Sequence, residues 1–576
     1  MSGPDVLVTL SDGGSASVSV PQSSVQVVIG CSASGTAGTI TATRSTSTLL
    51  STFSYGPLLE AAAMSALAGG SVLAMKAPTI TAAFVVGSTA TPLVVSAATN
   101  ATPIVVTTTT HGLATGNIVT IASVGGNAGA NGTFTITVLT STTFSLNNSA
   151  GSGAYTSGGT VQPLGTTWAN AAGTTGTSNP TITGAPYDDF YVKLVVTTGG
   201  TIGVTGMQFK FSLDAGRNFS PVVSLGTANT YAIPQTNITL NFSAGTWIAG
   251  DTLTFSTRAP AWANAGITSA LTTLGNSQYA IGGWGSIHVV GIAAGADATA
   301  VQGGLDTLAT GQIYTGAILS ARDASPPALY GGTGETGATW QAAIALDYAA
   351  VSAKRIGSAG GYYNMRSNFP VLGVAFNMRR PLAWAWAARQ VQIAAQVHAG
   401  RVSDGALAQI VLDPVNDPLD GFVYWDERIN SGVTSARFAA AKTRVNKQGY
   451  YLDQPNMMSP TGSVFTIWPL RAVMDVGCSI LTQVSTNLIN SDIRLNANGT
   501  IYDAEAKTFE SKITQAINDN MTAFNMLSQS GPNNSGVVVT VDRNVNVRTT
   551  KAVNIAATLY ARGYVLQINL NVGYAT

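Results

Sequence analysis

The feature that most constrains this chain is a long stretch without charged side chains. From Ala77 to Tyr187 the sequence contains no Asp, Glu, Lys or Arg, and it consists mainly of Thr, Gly, Ala, Ser and Val. Disordered segments combine high charge with low hydrophobicity, and a membrane-spanning helix needs about 20 consecutive apolar residues, so neither description fits. The stretch therefore predicts a folded, neutral, Thr-rich β surface. Because neutral surfaces tend to associate, it also indicates a component of an assembly.

The overall composition argues against two classes of partner. Only 9% of the 576 residues are charged and the net charge is +1, whereas ordinary soluble domains are about 25% charged. This balance offers no electrostatic attraction for nucleic acid or for an anionic bilayer, so we expect neither as a partner. Residues 1–5 lack the basic and apolar regions of a signal peptide, which predicts synthesis and assembly in a cytoplasm.

Patterns along the chain predict a multidomain α+β or α/β protein, in which helices pack on mixed sheets and two all-β modules are inserted. Residues 94–163 and 164–262 alternate as short strands between Gly, Asn and Pro turns, and we expect both blocks to be self-contained. After residue 262 helices and short apolar strands alternate, which is typical of α/β folds. The predicted helices are 338–354, 384–399 and 433–446, and the predicted strands are 286–292 and 370–376.

The last part of the chain contains an amphipathic helix, predicted over residues 503–527. Its apolar stripe consists of Ala506, Phe509, Ile513, Ile517, Met521 and Phe524 and is expected to be core. The opposite face carries Glu505, Glu510, Lys512, Asp519 and Asn520. This face is either simply solvated or in contact with a partner.

Both ends of the chain alternate like strands. Val6, Val8 and Leu10 share one face near the start, and Leu566, Ile568, Leu570 and Val572 share one face near the end. A terminal strand either closes the sheet of its own domain or adds to the sheet edge of a neighbour, where backbone hydrogen bonds supply the affinity. The residues alone favour neither alternative.

Candidate catalytic and metal-binding residues are few. His111, His288 and His398 have no metal-ligand spacing, and no phosphate-binding or nucleophile motif is present, so we predict structural histidines and no cofactor, metal or catalytic site. The adjacent carboxylates Asp426 and Glu427 would face opposite sides of a strand, which favours charge pairing over acid–base chemistry. The two cysteines, Cys31 and Cys478, are too few for a disulfide framework.

Several segments together resemble contractile tail sheath proteins of bacteriophages with Mu-like tails. The matching segments read VPQSSVQVVIG at 20–30, YGPLLE at 55–60, HAGRVSDG at 398–405, DGFVYWDER at 420–428, SARF at 435–438, GYYLDQPNMM at 449–458 and WPLRAVMD at 468–475. Residues 94–163, with His111 in a THGL turn and NGTF at 131–134, resemble a small β module of phage virion proteins. The similarity covers most of the chain and includes no catalytic motif.

The resemblance implies a structural virion protein and no enzyme. Such subunits stack as hexameric rings around a tail tube, between baseplate and terminator proteins, and contract by rigid-body rearrangement to drive the tube through the host envelope without a nucleotide. It implies strand arms at 1–20 and 563–576 that add to neighbouring subunits, a sheath core at 21–93 and 263–454, and a tube-proximal domain at 455–562. Glu505, Glu510, Lys512 and Asp519 are then the tube-facing candidates.

Two other functional classes remain as alternatives, and one crosslink is left open. The Thr- and Gly-rich β blocks are also typical of a tail fibre or adhesin, and the α/β region is compatible with a hydrolase. Cys31 and Cys478 are either buried, reduced thiols or partners in a disulfide between subunits, formed after release from a reducing cytoplasm.

Overall fold

The computed structural model divides the chain into a central α/β unit, a β barrel, a β sandwich and a C-terminal unit of helices and strands. It describes residues 24–81, 84–86, 93–109, 111, 118–163, 167–169, 176–178, 180–204, 206–332, 334–411 and 421–566. The expected mixture of helices and sheets is confirmed. Among the described residues, no helix has the length and apolarity that a membrane span requires.

A six-stranded sheet forms the centre of the α/β unit. Its strands, in spatial order, are Ile40–Thr43, Ser71–Lys76, Val25–Gly30, Ser286–Ile292, Ala317–Ser320 and Ile356–Ala359. All neighbouring strands run parallel except the first pair. A parallel sheet is covered on both faces, so its strands are apolar without alternation. Accordingly, Val27, Val28 and Ile29 are all fully buried.

Helices cover both faces of this sheet. One face packs against Asn264–Gly275, Gly295–Thr310 and Gly337–Asp347. The other face packs against Thr46–Phe53, Pro57–Leu67 and Leu382–Gln390. Pro57 occupies the first helical turn, as its sequence position predicts, because a proline there lacks only an N–H that the helix would leave unbonded.

Some predicted elements differ from the structure. The helices expected at 338–354 and 384–399 end at Asp347 and Gln390. Residues 433–446 form no helix, because Arg437 and Asn446 adopt positive φ angles of 71° and 60° and the chain enters the hairpin of Ala441–Arg444 and Lys447–Leu452. Residues 370–376 form a turn closed by Val371 and Val374, and the strand begins only at Asn377–Pro381, which pairs with Tyr362–Arg366.

The first β block closes into a six-stranded barrel. Its strands are Leu93–Ala98, Ile104–Thr108, Ile118–Ala122, Gly132–Val138, Thr143–Leu146 and Thr160–Pro163. The buried side chains of the barrel pack only against one another, and among the described residues none from another part of the chain joins them. The barrel is therefore a self-contained packing unit.

The second β block is a sandwich of two sheets. One sheet contains Phe84–Val86, Thr167–Ala169, Tyr191–Thr198, Gln208–Ser212, Val223–Ser224 and Thr252–Arg258, and the other contains Pro180–Thr183, Thr230–Ile233 and Ile238–Phe242. Short ladders join Gly200–Thr201 to Thr246–Trp247 and Thr79–Thr81 to Ala261–Trp262. Val371, Phe376 and Met378 of the α/β unit are buried in the sandwich core. The expectation that this block is self-contained is therefore wrong.

The barrel is inserted within the sandwich. Phe84–Val86 and Thr167–Ala169 pair with the same strand, Thr252–Arg258, on the same side. Val86 lies opposite Ser256 and Thr167 lies opposite Thr254, so the two segments form one edge strand interrupted at Phe255. The sequence predicts that the two β blocks follow one another along the chain. The strand pairing instead shows that the barrel is inserted into an edge strand of the sandwich.

One of two neighbouring arginines joins the sandwich to the α/β unit, and the other forms an ion pair within the α/β unit. Arg380 donates two hydrogen bonds of 2.7 and 2.6 Å to Asp188, which precedes the Tyr191–Thr198 strand. Arg379 donates two hydrogen bonds of 2.5 and 2.7 Å to Asp323, which follows a central strand. Because breaking a buried ion pair costs about 3–5 kcal/mol, the Arg380–Asp188 pair and the shared core make the sandwich and the α/β unit one body.

Candidate assembly surface

The C-terminal unit consists of three helices and a two-stranded ladder. The helices are Trp468–Thr486, Asp503–Ile517 and Val547–Thr550, and the ladder pairs Val537–Val541 with Ile555–Leu559 in antiparallel register. Of the predicted apolar stripe, the residues from Ala506 to Met521 are buried as expected. The α-helix ends earlier than predicted, at Ile517, and continues as a π turn over Asn518–Thr522. Phe524 is consequently 63% exposed.

Two of the charged residues on the outer face of the Asp503–Ile517 helix form ion pairs within the subunit. Glu505 accepts a hydrogen bond of 2.8 Å from Arg494. Glu510 receives bonds of 2.8 and 3.0 Å from Arg543 and one of 2.8 Å from the backbone N–H of Val541. The bonds from Arg543 lower the pKa of Glu510 and so favour its charged form. Glu510 therefore fixes the helix to the ladder.

The four tube-facing candidates consequently differ in their surroundings. Glu505 and Glu510 are only about one-fifth exposed, at 21% and 20%, and each has an internal cation as partner. Lys512 and Asp519 are exposed. Contact of this face with a tube stays a prediction, and among the four candidates Lys512 and Asp519 are the more accessible.

The ladder has unpaired edges in the part of the chain that the structure describes. Val537–Val541 and Ile555–Leu559 pair only with each other as strands. Helix side chains cover one side of the ladder, including Ile517 and Met521. Ala556 and Thr558 on the second strand are exposed. An unpaired edge offers free N–H and C=O groups to another strand.

The predicted terminal arms lie almost entirely outside the described residues. This applies to Val6, Val8, Leu10, Ile568, Leu570 and Val572, and addition of these strands to a neighbour stays a prediction. Leu566 is described and is 59% exposed. Just before it, the Tyr564 hydroxyl donates a 2.9 Å hydrogen bond to the Gln396 carbonyl, so the chain approaches its end alongside the α/β unit.

The two cysteines have different environments. Cys31 is 2% exposed in the core at the end of the Val25–Gly30 strand, and burial raises the pKa of its thiol to about 12. Cys478 is partly exposed on the Trp468–Thr486 helix, and burial also raises its pKa. Both thiols are free in the single chain. A bond between them across subunits stays a prediction and would require Cys31 to leave the core.

The histidines and the paired carboxylates have structural surroundings. His288 is fully buried in the central sheet, His111 is buried in the barrel, and the Nδ1 of His398 accepts a 3.0 Å bond from the N–H of Gly400. Asp426 accepts bonds from Arg428 and Thr443, and Glu427 accepts bonds from Trp425, Gly432 and Thr434. Within the chain these donors are backbone N–H groups, a hydroxyl and an indole, and charge pairing of Asp426 and Glu427 between subunits stays a prediction. The described residues contain no cluster of His, Cys, Asp and Glu that fits a metal ion.

Sequence reasoning missed a polar groove, which we call the basic groove. It has a volume of about 680 Å³, and its walls come from residues 396–402, from Arg444 at the end of the Ala441–Arg444 strand, from residues 453–454 and from residues 562–566. Arg401 is paired with Asp404 at 2.8 Å and Lys442 with Asp453 at 3.1 Å. No local motif could reveal the groove, because its walls come from distant parts of the chain.

Some polar groups of the basic groove lack partners among the described residues. His398 Nε2, Arg444 Nε and Gln396 Oε1 are buried without a hydrogen bond. Arg562 donates to the Asn525 carbonyl at 2.7 Å, and neither it nor Arg444 has a described carboxylate partner. Burial lowers the pKa of His398, with Asp453 opposing and Arg444 adding to the shift.

Comparison with known proteins returned similarities of two kinds. Residues 101–164, most of which lie in the barrel, match the family model described as the ubiquitin-activating enzyme E1 FCCH domain. No curated protein matches the chain. Among solved structures, the sheath tail protein of Desulfitobacterium hafniense is 8% identical, with a TM-score of 0.41 over 97% of this chain and 100% of that chain.

Two further solved structures are of the same kind. The sheath tail protein of Listeria innocua is 10% identical, with a TM-score of 0.39 over 95% of this chain and 96% of that chain. The contracted helical sheath of the anti-feeding prophage is 10% identical, with a TM-score of 0.35 over 55% of this chain and 77% of that chain. All three are sheath proteins, which is the class of protein that the sequence motifs of this chain resemble.

Proposed function

We propose that this chain is the structural subunit of a contractile tail sheath that polymerises around a tail tube. The observation that carries the proposal is the two-stranded ladder of the C-terminal unit, whose edges are unpaired among the described residues. The sequence segments that resemble tail sheath proteins support it independently. In this role the protein is a virion component and not an enzyme.

The ladder can accept additional strands at its edges. Two strands alone are marginally stable in water, and independent stability requires three or more strands or packing against a helix. The helices of the C-terminal unit cover one side and meet this requirement, while neither strand has a second partner strand among the described residues. The backbone groups of Val541 are bonded to Glu510 and Arg543, so the rest of the edge is what remains for pairing. Strands supplied by neighbouring subunits would pair the remaining backbone groups and complete the sheet.

The chain carries suitable strands at both ends. Residues 1–20 and 563–576 alternate apolar and polar side chains, and the second segment contains Gln567, Asn569 and Asn571 on its polar face. In this proposal each end adds to the ladder of a neighbour, so hexameric rings become linked into a continuous mesh. The domain at 455–562 then faces the tube.

Contraction in this proposal is a rearrangement of rigid bodies. The bidentate pair of Arg380 with Asp188 and the shared apolar core keep the sandwich and the α/β unit together during such a movement. The arms keep neighbours connected, and the extended lattice stores the energy at assembly, so no nucleotide is needed. The tail tube, baseplate and terminator proteins are the expected partners, and the movement drives the tube through the host envelope.

Electron microscopy of the purified protein tests this function. We expect hollow cylinders, and we expect a chain lacking residues 564–576 to stay folded without forming them, because the added strand is lost. Changing Ile568, Leu570 and Val572 to Asn should have the same effect. The matched control changes Gln567, Asn569 and Asn571 to Ser and should leave the cylinders intact.

Other outcomes contradict the proposal in distinct ways. Trimeric rods would indicate a fibre, and monodisperse globules with a hydrolytic activity would indicate an enzyme. Normal cylinders from the truncated chain would show that strand addition at this end is wrong while the sheath function holds.

A further inference from the structure

The basic groove is suited to a ligand with hydrogen-bonding groups. His398 Nε2, Arg444 Nε and Gln396 Oε1 are buried there without partners among the described residues. A buried donor or acceptor that stays unpaired is unfavourable. The groove therefore fits a ligand that supplies both donors and acceptors, as an extended peptide does.

The charge and the apolar surface of the groove narrow the chemistry of that peptide. Arg444 and Arg562 have no carboxylate partner among the described residues, so an acidic ligand is complementary to them. Val565 and Leu566 line the same groove and are 80% and 59% exposed. A peptide segment that is complementary to the groove therefore combines carboxylates with apolar side chains.

Only one of the two chain ends has this composition. Residues 1–23 contain Asp5 and Asp12 as their only charged side chains, together with the alternating Val6, Val8 and Leu10. Residues 567–576 contain no carboxylate side chain and cannot neutralise the arginines in that way. We propose that residues 1–23 of the free subunit dock in the basic groove of their own chain, with Asp5 and Asp12 against Arg444 and Arg562.

The segment joins the described part of the chain at Ser24. The Ser24 carbonyl accepts a 2.8 Å bond from the N–H of Ser71. Gly70, which precedes Ser71 in the sequence, lies close to Val391, since a Cβ added to Gly70 would be 3.1 Å from the Val391 side chain. Val391 in turn lies five residues before Gln396, which lines the groove. Fully extended, the 23 residues span up to about 76 Å. Tethering gives an effective concentration of order mM, so the cis contact prevails in dilute solution.

The cis contact has a consequence for polymerisation, and this consequence alone rests on the proposed function. An amino-terminal arm bound to its own chain is withheld from a neighbour's ladder. Growth then requires exchange of the arm from cis to trans. A subunit with a released arm polymerises sooner and without a tube.

Hydrogen exchange of the full chain in dilute, unpolymerised solution tests the docking. We expect residues 6–10 and 396–402 to be protected. Asp5→Asn with Asp12→Asn should accelerate their exchange by on the order of tenfold, as the loss of two ion pairs allows. This variant changes no residue that the structure describes. Asp5→Glu with Asp12→Glu is the matched control and should retain the protection.

A charge swap makes the test specific. Arg444→Glu with Arg562→Glu should release the segment, and adding Asp5→Arg with Asp12→Arg should restore its protection. Three results would overturn the proposal: unprotected residues 6–10 in the wild-type chain, protection that survives the Asn substitutions, or protection that grows with protein concentration, which indicates a second copy. If the protection behaves as expected but the chain never forms cylinders, the docking proposal is supported and the proposed sheath function is contradicted.

Discussion

At the scale of single residues, several buried polar groups hold this fold without serving chemistry. Arg437 donates hydrogen bonds to the carbonyls of Tyr348, Val351 and Ser459, and thereby fastens three loop segments. His288 is different, since both of its ring nitrogens are buried without a partner among the described residues. Burial alone lowers its pKa from the ordinary 6.5 to about 3. His288 is therefore a point at which the stability of the fold can be improved.

We expect His288→Leu to raise the free energy of unfolding at pH 7 by about 1–3 kcal/mol, because it removes unpaired buried nitrogens. The wild-type chain should also lose stability as pH falls from about 6.5 toward 3, since only the unfolded chain binds a proton on this residue there. The slope from one such group is at most about 1.4 kcal/mol per pH unit, and the variant should lack it. Denaturant unfolding at pH 7 and pH 5 measures both effects.

His398→Leu is the control for this substitution. It removes the hydrogen bond that Nδ1 accepts from Gly400, so it should not stabilise the chain at pH 7. A His288→Leu chain that is less stable than wild type would show that the nitrogens have partners in solution.

At the scale of elements, the Asp503–Ile517 helix illustrates how surface charge is divided between internal and external roles. Glu510 and Arg543 join the helix to the ladder, so reversing Glu510 would damage the subunit itself. Lys512 and Asp519 are exposed on the helix and the π turn that follows it. These two residues therefore test contact with a tube without disturbing the fold.

We expect Lys512→Glu with Asp519→Lys to reduce the yield of sheathed tubes while cylinders still form without a tube. Each exposed ion pair is worth only about 0.2–1 kcal/mol, but the loss is repeated at every subunit of the lattice. Lys354→Glu, at an exposed site of the α/β unit, is the matched control. If tube-templated assembly is unchanged in the double variant, this helix does not face the tube.

At the scale of the whole molecule, the barrel and the sandwich are attached in different ways. The barrel packs only on itself among the described residues and interrupts a single edge strand of the sandwich. The sandwich shares its core with Val371, Phe376 and Met378 and is held by the Arg380–Asp188 pair. The barrel is separable from the body, and the sandwich is not.

Replacing residues 87–166 with a single Gly should therefore join Val86 to Thr167 as a continuous strand, with the Gly opposite Phe255. Val86 and Thr167 lie opposite Ser256 and Thr254, which are two positions apart on one strand. The gap that the Gly must span is therefore about 7 Å. We expect a melting temperature close to that of the full chain and unchanged cylinders. Circular dichroism and microscopy measure both.

Deleting residues 79–262 is the contrasting variant. It would expose Val371, Phe376 and Met378 and leave Arg380 without Asp188, so this chain should fail to fold. A barrel-free chain that folds but does not polymerise would make the barrel part of the lattice.

The sequence by itself determined the features that depend on neighbouring residues. Strand alternation identified the Gly132–Val138 strand and the 3.6-residue period identified the buried stripe of the Asp503–Ile517 helix, because both periods are set by local backbone geometry. The neutral stretch from Ala77 to Tyr187 indicated β structure. Local pattern failed at 433–446, where long-range hydrogen bonds of Arg437 override a helix-compatible composition.

Only the tertiary structure decided which distant residues meet. It joined Phe84–Val86 to Thr167–Ala169 as one strand, although the barrel separates them in sequence, because both find their backbone partners on Thr252–Arg258. It likewise placed Gln396, Arg444 and Arg562 around one groove and brought Glu510 and Arg543 together as an ion pair. Pairing partners far apart in the chain are chosen by the packing of the whole core, and no short window of sequence contains that information.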